Sequence, residues 1–186
     1  GVLLLFDEVQ CGYGRTGKLF AHEWAGITPD VMAIAKGLGS GFPIGAVMAT
    51  EEAAKGMVPG THGSTFGGNP LAVSVGNAVL DVLLEDGFLD GVEKKGKTLW
   101  DRLSEAVSRY PEVYKSVRGA GLMVGIKCVV PAGDVVVAFQ KEGMLTVPAG
   151  ENVARLLPPL NIEESHIDEA IKIVDRVGKN WTAGDG

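Results

Sequence analysis

Two apolar runs decide the fold of this chain: GVLLLF at residues 1–6, which leads into Asp7, and VMAIA at residues 31–35, which leads into Lys36. Uninterrupted apolar runs of this length are typical of strands that are covered on both faces of a parallel sheet. The carboxyl ends of parallel strands meet at one edge of the sheet, where ligands bind. The sequence therefore predicts that a carboxylate and an amine lie together at that edge.

Composition excludes several classes of function. The 186 residues are 46% hydrophobic and 22% charged, which is typical of a folded globular protein. A net charge of -6 does not support a nucleic-acid-binding surface or a basic membrane-binding face. No apolar run approaches the roughly 20 residues of a membrane span, and Cys11 and Cys128 have no metal-ligand spacing. We expect a cytoplasmic enzyme or binding protein with no nucleic-acid, membrane or metal partner.

The order of predicted elements indicates an α/β fold with two domains. Asn69-Pro70 is a strong helix start, and apolar residues then recur at helical spacing to about Asp86. From about residue 95 short strands alternate with helices, as in a smaller α+β domain. We expect domains at residues 1–94 and 95–186. Because residue 1 already lies in a predicted buried strand, we also expect the chain to be the C-terminal part of a longer protein.

The four residues Asp7-Glu8-Val9-Gln10 offer the first candidate site. Asp7 follows a buried strand and is either a ligand-binding acid or a structural one, such as a helix N-cap or an ion-pair partner. Glu8 would face the other way and could be the structural acid. If the strand continues, Val9 lies on the same side as Asp7, and the amide of Gln10 can reach a hydroxyl or phenolate oxygen.

Lys36 and the segment Ser64-Thr65-Phe66-Gly67-Gly68 offer the second and third candidates. Lys36 is confined between an apolar strand and a glycine loop, which favours a nucleophilic amine over a solvated lysine. Ser64 and Thr65 come just before a helix N-terminus, where free backbone N–H groups and the helix dipole favour an anion. A simple capping loop is the alternative interpretation of this segment.

Three motifs in this order resemble the class III aminotransferases, which are pyridoxal-phosphate enzymes of fold type I. They are DEVQ at residues 7–10 followed by GRTG at 14–17, Lys36-Gly37 with its glycine loop, and HGSTFGGNP at 62–70. The runs GTHGST at 60–65 and RLLPPL at 155–160 are most similar to the acetylornithine aminotransferases of arginine biosynthesis. The resemblance implies the C-terminal part of the large, mostly parallel-sheet domain plus the small C-terminal α+β domain.

The resemblance also implies a role for each motif residue. Lys36 and Asp7 would be catalytic: Lys36 bonds to the cofactor aldehyde and moves the substrate proton, and Asp7 pairs with the pyridinium nitrogen. Val9 would pack on the ring face and Gln10 would bind the 3′ oxygen. The full set of implied cofactor-binding residues is Asp7, Glu8, Val9, Gln10, Lys36 and Thr65.

The remaining implied roles concern the substrate and the second subunit of a homodimer with shared active sites. Thr65 would bind the cofactor phosphate of the neighbouring subunit, and Ser64 would lie against the substrate. Arg155 would bind a substrate carboxylate through a bidentate fork, although the predicted strand Asn152–Leu157 offers a structural explanation for it. Arg15 and Thr16 are interpreted as loop structure.

The implied activity is transfer of the δ-amino group of N2-acetylornithine to 2-oxoglutarate. Other class III aminotransferases, acting on ornithine, succinylornithine or 4-aminobutyrate, are the alternatives within the family, and glutamate-1-semialdehyde aminomutase matches less well around Ser64 and Thr65. A different class of hypothesis is a catalytically inactive truncated half. A nucleotide-binding domain is disfavoured, because the glycine loop at 37–41 is not followed by a helix pattern.

The family's phosphate-binding glycine turn, ring-stacking aromatic and substrate-binding arginine precede the DEVQ strand, so we expect the 186 residues alone to be inactive or nearly so.

Overall fold

The computed structural model describes residues 1–184, which divide into two compact units, one covering Gly1–Asp90 and the other beginning at Gly91. The β-strands are β1 Leu5–Asp7, β2 Val31–Ile34, β3 Ala46–Ala49, β4 Tyr114–Ala120, β5 Met123–Cys128, β6 Val147–Ala149 and β7 Val153–Leu156. The α-helices are α1 Glu51–Ala54, α2 Pro70–Leu83, α3 Phe88–Ser108, α4 Ala132–Lys141 and α5 Glu164–Thr182. Short 3₁₀ helices lie at Ala21–Ala25 and Lys36–Leu38.

The first unit is built on a three-stranded sheet of order β1-β2-β3. β1 and β2 are parallel, whereas β3 runs antiparallel to β2. Helix α2 begins as its sequence predicts: the side chain of Asn69 accepts a hydrogen bond from Ala72 N at 2.9 Å, and Pro70 occupies the first turn. This helix packs on the turn that follows β2, since a Cβ built on Gly76 lies 3.7 Å from Leu38 Cδ1.

The second unit is a four-stranded antiparallel sheet of order β4-β5-β7-β6, packed with helices. Its core is apolar and dense, with Leu103, Ile126 and Phe139 at 0% exposure. The hydroxyl of Tyr114 donates to Val174 O at 3.0 Å, so α5 is joined to the sheet through a buried hydrogen bond. Burial raises the pKa of this phenol.

The apolar run at residues 1–6 differs from its prediction. Only Leu5–Asp7 form a strand, and Val2 and Leu5 are 95% and 64% exposed. The expectation of burial on both faces is therefore wrong for this chain. β1 lies at one side of the sheet, with β2 as its only strand partner among residues 1–184, and the exposure of Leu3 and Leu5 shows that the described residues do not cover its faces.

Among the described residues, no helix combines the length and the apolar character that crossing a bilayer requires.

Candidate active site

The parallel register of β1 and β2 brings Asp7 and Lys36 to the same end of the sheet. Asp7 pairs with Ala33, and Glu8 N donates to Ala33 O at 2.9 Å. Lys36 follows only three residues after Ala33, at the start of the 3₁₀ helix. Both side chains belong to exposed residues, so Lys36 is not confined as its sequence context suggests. The predicted meeting of an acid and an amine at one sheet edge is present in the fold.

Asp7 is oriented by the turn that follows it. Val9 N donates to Asp7 Oδ1 at 3.0 Å, and the chain leaves the strand immediately after Asp7. The condition for Val9 to share a strand face with Asp7, a strand that continues past Asp7, is not met, and Val9 and Gln10 lie half-buried in the turn. A carboxylate that accepts from a backbone N–H two residues on is a standard turn-forming arrangement, and it holds the side chain at the strand end.

Glu8 is 3% exposed and its carboxylate is at the centre of a hydrogen-bond network. Ala21 N and Cys11 Sγ donate to Oε2 at 2.9 and 3.2 Å, and His22 N donates to Oε1 at 2.8 Å. The ring Nδ1 of His22 lies 3.2 Å from the same Oε1. These bonds lower the pKa of Glu8 against the opposing effect of burial, and burial beside Glu8 raises the pKa of the Cys11 thiol to about 11.

The geometry of Glu8 matches the structural acid that the sequence suggests, rather than a cofactor ligand, since both carboxylate oxygens are occupied inside the fold. Its backbone donors, Ala21 and His22, lie 13 and 14 residues away, so periodicity gives no signal for them. The ring of His22 stacks on Phe20 at a centroid distance of 5.7 Å. No group of three or more metal-ligating side chains forms among residues 1–184.

The backbone of Lys36 has an unusual conformation. Its φ is +46°, in the left-handed region that residues other than glycine rarely adopt. Gly39 closes the turn, and a Cβ there would lie 2.1 Å from Phe42 O, so only glycine fits. Strained backbone of this kind concentrates at functional sites, where the surrounding structure maintains it. The conformation of Lys36 is the feature that the sequence did not indicate.

Ser64 and Thr65 lie in an exposed loop that precedes α2. The loop is closed by Asn69, whose Nδ2 donates to Phe66 O at 2.9 Å. A Cβ on Gly67 would lie 3.1 Å from Ser64 Oγ, so the small residue leaves room for the serine hydroxyl. Both interpretations of the segment, anion site and capping loop, are compatible with this geometry.

Arg155 lies in β7 of the second unit, and β7 lies between β5 and β6 in the sheet. It pairs with Gly125 on β5 and with Val147 on β6. Thr16, interpreted as loop structure, is 5% exposed and accepts a hydrogen bond from Trp24 Nε1 at 3.2 Å.

The chain matches the family model for aminotransferase class-III over residues 1–177. The chain belongs to the class III aminotransferases. It is 58% identical over 171 residues to an acetylornithine aminotransferase of Mesorhizobium japonicum, a match that covers 92% of the chain and 43% of that relative. The chain thus spans less than half the length of the relatives it matches.

Solved structures of class III aminotransferases share the fold. Ornithine δ-aminotransferase of Plasmodium falciparum superposes with a TM-score of 0.88 at 36% identity, covering 96% of this chain and 46% of the other. N-acetylornithine aminotransferase of Stenotrophomonas maltophilia superposes with a TM-score of 0.85 at 35% identity, covering 98% and 48%. These matches confirm the resemblance and the expected fold type I class. Class III aminotransferases depend on pyridoxal phosphate.

Proposed function

We propose that the full-length protein carrying this chain transfers the δ-amino group of N2-acetylornithine to 2-oxoglutarate, with pyridoxal phosphate as cofactor. The observation that carries the proposal is the β1–β2 register. It places Asp7 and Lys36, whose backbone is in the left-handed region, at the same end of two parallel strands. Identity of 58% to an acetylornithine aminotransferase supports the substrate. The proposed partners are a small-molecule amino donor, 2-oxoglutarate and a second copy of the protein.

The residues at this sheet end fit the cofactor chemically. Pyridoxal phosphate supplies an electron-withdrawing ring that stabilises negative charge on the substrate carbon. Asp7 presents an exposed carboxylate, held by Val9 N, that suits a protonated ring nitrogen. The amine of Lys36 suits the aldehyde, and its next task is to carry the proton of the substrate carbon. Val9 and Gln10, in the same turn, would contact the ring face and the 3′ oxygen.

The remaining roles complete the proposed site. Thr65 would donate to the phosphate from the neighbouring subunit, beside the start of α2, where the helix dipole favours an anion. Ser64 would contact the substrate, and Arg155 would bind its carboxylate. Glu8 is proposed as a structural acid that joins the end of β1 to the segment at Ala21 and His22, without touching the cofactor.

We assign the first unit to the cofactor-binding large domain and the second to the small C-terminal domain. With the chain covering 43% of the length of its relative, we infer that the 186 residues alone are inactive or nearly so.

The second candidate function is transamination of ornithine. It is favoured by structural matches at TM-scores of 0.88 to ornithine aminotransferases, which are as similar in fold as the acetylornithine enzyme of Stenotrophomonas maltophilia. The two functions differ in whether the α-amino group of the donor is acetylated.

Borohydride trapping tests the proposed site. The full-length protein is incubated with pyridoxal phosphate and reduced, and the labelled peptide is mapped. We expect label at Lys36, loss of label in Lys36→Ala, and retention in Lys55→Ala, which removes an exposed lysine paired with Glu52 on α1. Label at another lysine contradicts the proposal. Turnover with N2-acetylornithine and with ornithine then ranks the donors, and no turnover of N2-acetylornithine rejects the first substrate.

A further inference from the structure

The left-handed conformation of Lys36 needs support from its neighbours. A non-glycine residue at φ +46° persists only where packing and hydrogen bonds over-determine it. Within the turn, Leu38 N donates to Ala35 O at 3.0 Å and Gly39 N donates to Lys36 O at 3.2 Å. These bonds close the turn, but they do not fix its position against the sheet.

The turn is held from two sides by packing. On one side Leu38, 7% exposed, lies against α2 at Gly76. On the other side Gly37 lies against Tyr13, because a Cβ on Gly37 would be 3.0 Å from Tyr13 Cβ. Gly37 has no positive φ, so the contact with Tyr13, rather than its own backbone conformation, leaves no room for a larger residue there.

Tyr13 is buried, and its own backbone is also in the left-handed region, with φ +53°. It is 8% exposed, and its ring meets Phe20 edge to face at a centroid distance of 6.0 Å. The loop around it is closed by Gly14 N, which donates to Leu19 O at 3.2 Å, and by Gly17 N, which donates to Gly14 O at 2.9 Å. The glycine-rich loop that follows β1 therefore places Tyr13 against Gly37, the residue next to Lys36.

We propose that Tyr13 is a positioning residue for Lys36: by packing on Gly37 it keeps the lysine backbone in the left-handed conformation that directs the amine toward the cofactor aldehyde. This inference rests on the proposed function, since it concerns the same amine. Tyr13 acts through Gly37 and does not touch the cofactor. The contact joins the Cβ of Tyr13 to the face of Gly37 that carries no side chain, whereas the first ring atom, Cγ, lies 3.9 Å from a Cβ built on Gly37.

The test uses the full-length apoprotein and two cofactor forms. Pyridoxal phosphate bonds to Lys36, whereas pyridoxamine phosphate has no aldehyde and binds without that bond. In Tyr13→Gly, which removes the Cβ that meets Gly37, we expect covalent attachment at Lys36 to slow by about tenfold, as for loss of the support that maintains a strained residue. Affinity for pyridoxamine phosphate should stay at the wild-type value. Tyr13→Phe keeps both the Cβ and the ring and should show wild-type attachment.

Gly37→Ala tests the same contact from the other side and remains informative if Tyr13→Gly fails to fold. The added methyl crowds Tyr13, so attachment should slow several-fold. Gly45→Ala is the matched control, because its added Cβ meets Ile34 O and Ala35 Cβ at ordinary distances of 3.5 and 3.7 Å.

Wild-type attachment rates in Tyr13→Gly or in Gly37→Ala overturn the inference. So does an equal loss of pyridoxamine phosphate affinity, which would mean that Tyr13 supports the whole site rather than the lysine. If the wild-type protein itself gains no label at Lys36, the proposed function fails and not the role of Tyr13.

Discussion

Glu8 stabilises the end of β1 through hydrogen bonds from Cys11, Ala21 and His22. It is adjacent in sequence to Asp7, the proposed catalytic acid, but has this different, structural role. In Glu8→Gln the amide NH₂ replaces one acceptor oxygen and faces donors. We expect the free energy of unfolding to fall by about 1–3 kcal/mol, the cost of leaving a buried polar group unsatisfied. Urea denaturation at neutral pH measures this loss, with Glu85→Gln, in an exposed turn, as control.

The same variant carries a pH signature. The folded-state pKa of Glu8 lies below its ordinary value of 4.5, so the ionised carboxylate stabilises the fold above pH 4.5 and this contribution disappears as pH falls through the folded-state pKa. The stability difference between wild type and Glu8→Gln should therefore shrink on acidification. A difference that stays constant into the acid range would mean that the charge of Glu8 contributes nothing.

Single residues differ in how far their sequence context describes them. The position of Asp7 and Lys36 at the carboxyl ends of two parallel strands was predictable, because an apolar run that leads into an ionisable residue indicates a strand end. The partners of Glu8 were not, since Ala21 and His22 reach it through a long loop rather than through local spacing. The φ of Lys36 was not predictable either, because lysine has no preference for the left-handed region.

At the level of elements, α2 begins at a cap that can be removed without touching its buried face. In Asn69→Ala the bond from Ala72 N and the bond to Phe66 O are both lost. We expect destabilisation of about 1 kcal/mol, as for other N-cap deletions. Urea midpoints measure this change, and Ser74→Ala, at an exposed position of α2, should leave stability within about 0.5 kcal/mol of wild type.

Asn69→Asp separates the two functions of the cap. Aspartate keeps the acceptor for Ala72 N but lacks the side-chain donor for Phe66 O, which then keeps only the bond from the backbone N of residue 69 at 3.3 Å. We therefore expect α2 to keep its stability while the loop of Ser64 and Thr65 becomes more mobile. Faster proteolysis of the loop at unchanged urea midpoint is the expected result. Unchanged proteolysis would show that the bond to Phe66 does not order the loop.

Elements with local signals were predicted well, and those that depend on the rest of the fold were not. The start of α2 is specified locally, because the side chain of Asn69 caps the helix and the ring of Pro70 fits its first turn. The run at residues 1–6 indicates a buried strand, but burial depends on what covers the strand. In a chain that spans 43% of the length of its relative, Val2 remains 95% exposed.

At the scale of the whole molecule, the decisive question is whether one active site takes residues from two copies of the protein. If Thr65 serves the neighbouring subunit, Lys36→Ala and Thr65→Ala damage different sites of a mixed dimer. One site then carries both defects, and the other keeps a lysine from one subunit and a threonine from its partner.

Random mixing of the two full-length variants should therefore restore activity. Half of the dimers are mixed and each has one intact site, so about a quarter of wild-type activity is expected from a closed twofold dimer. Each variant alone and a mixture of Lys36→Ala with Lys36→Ala,Thr65→Ala serve as inactive controls, and unfolding and refolding the mixture ensures exchange of subunits. No recovery in a mixture shown to contain mixed dimers would mean that Lys36 and Thr65 act within one subunit, because only a shared site can be rebuilt from two defective chains.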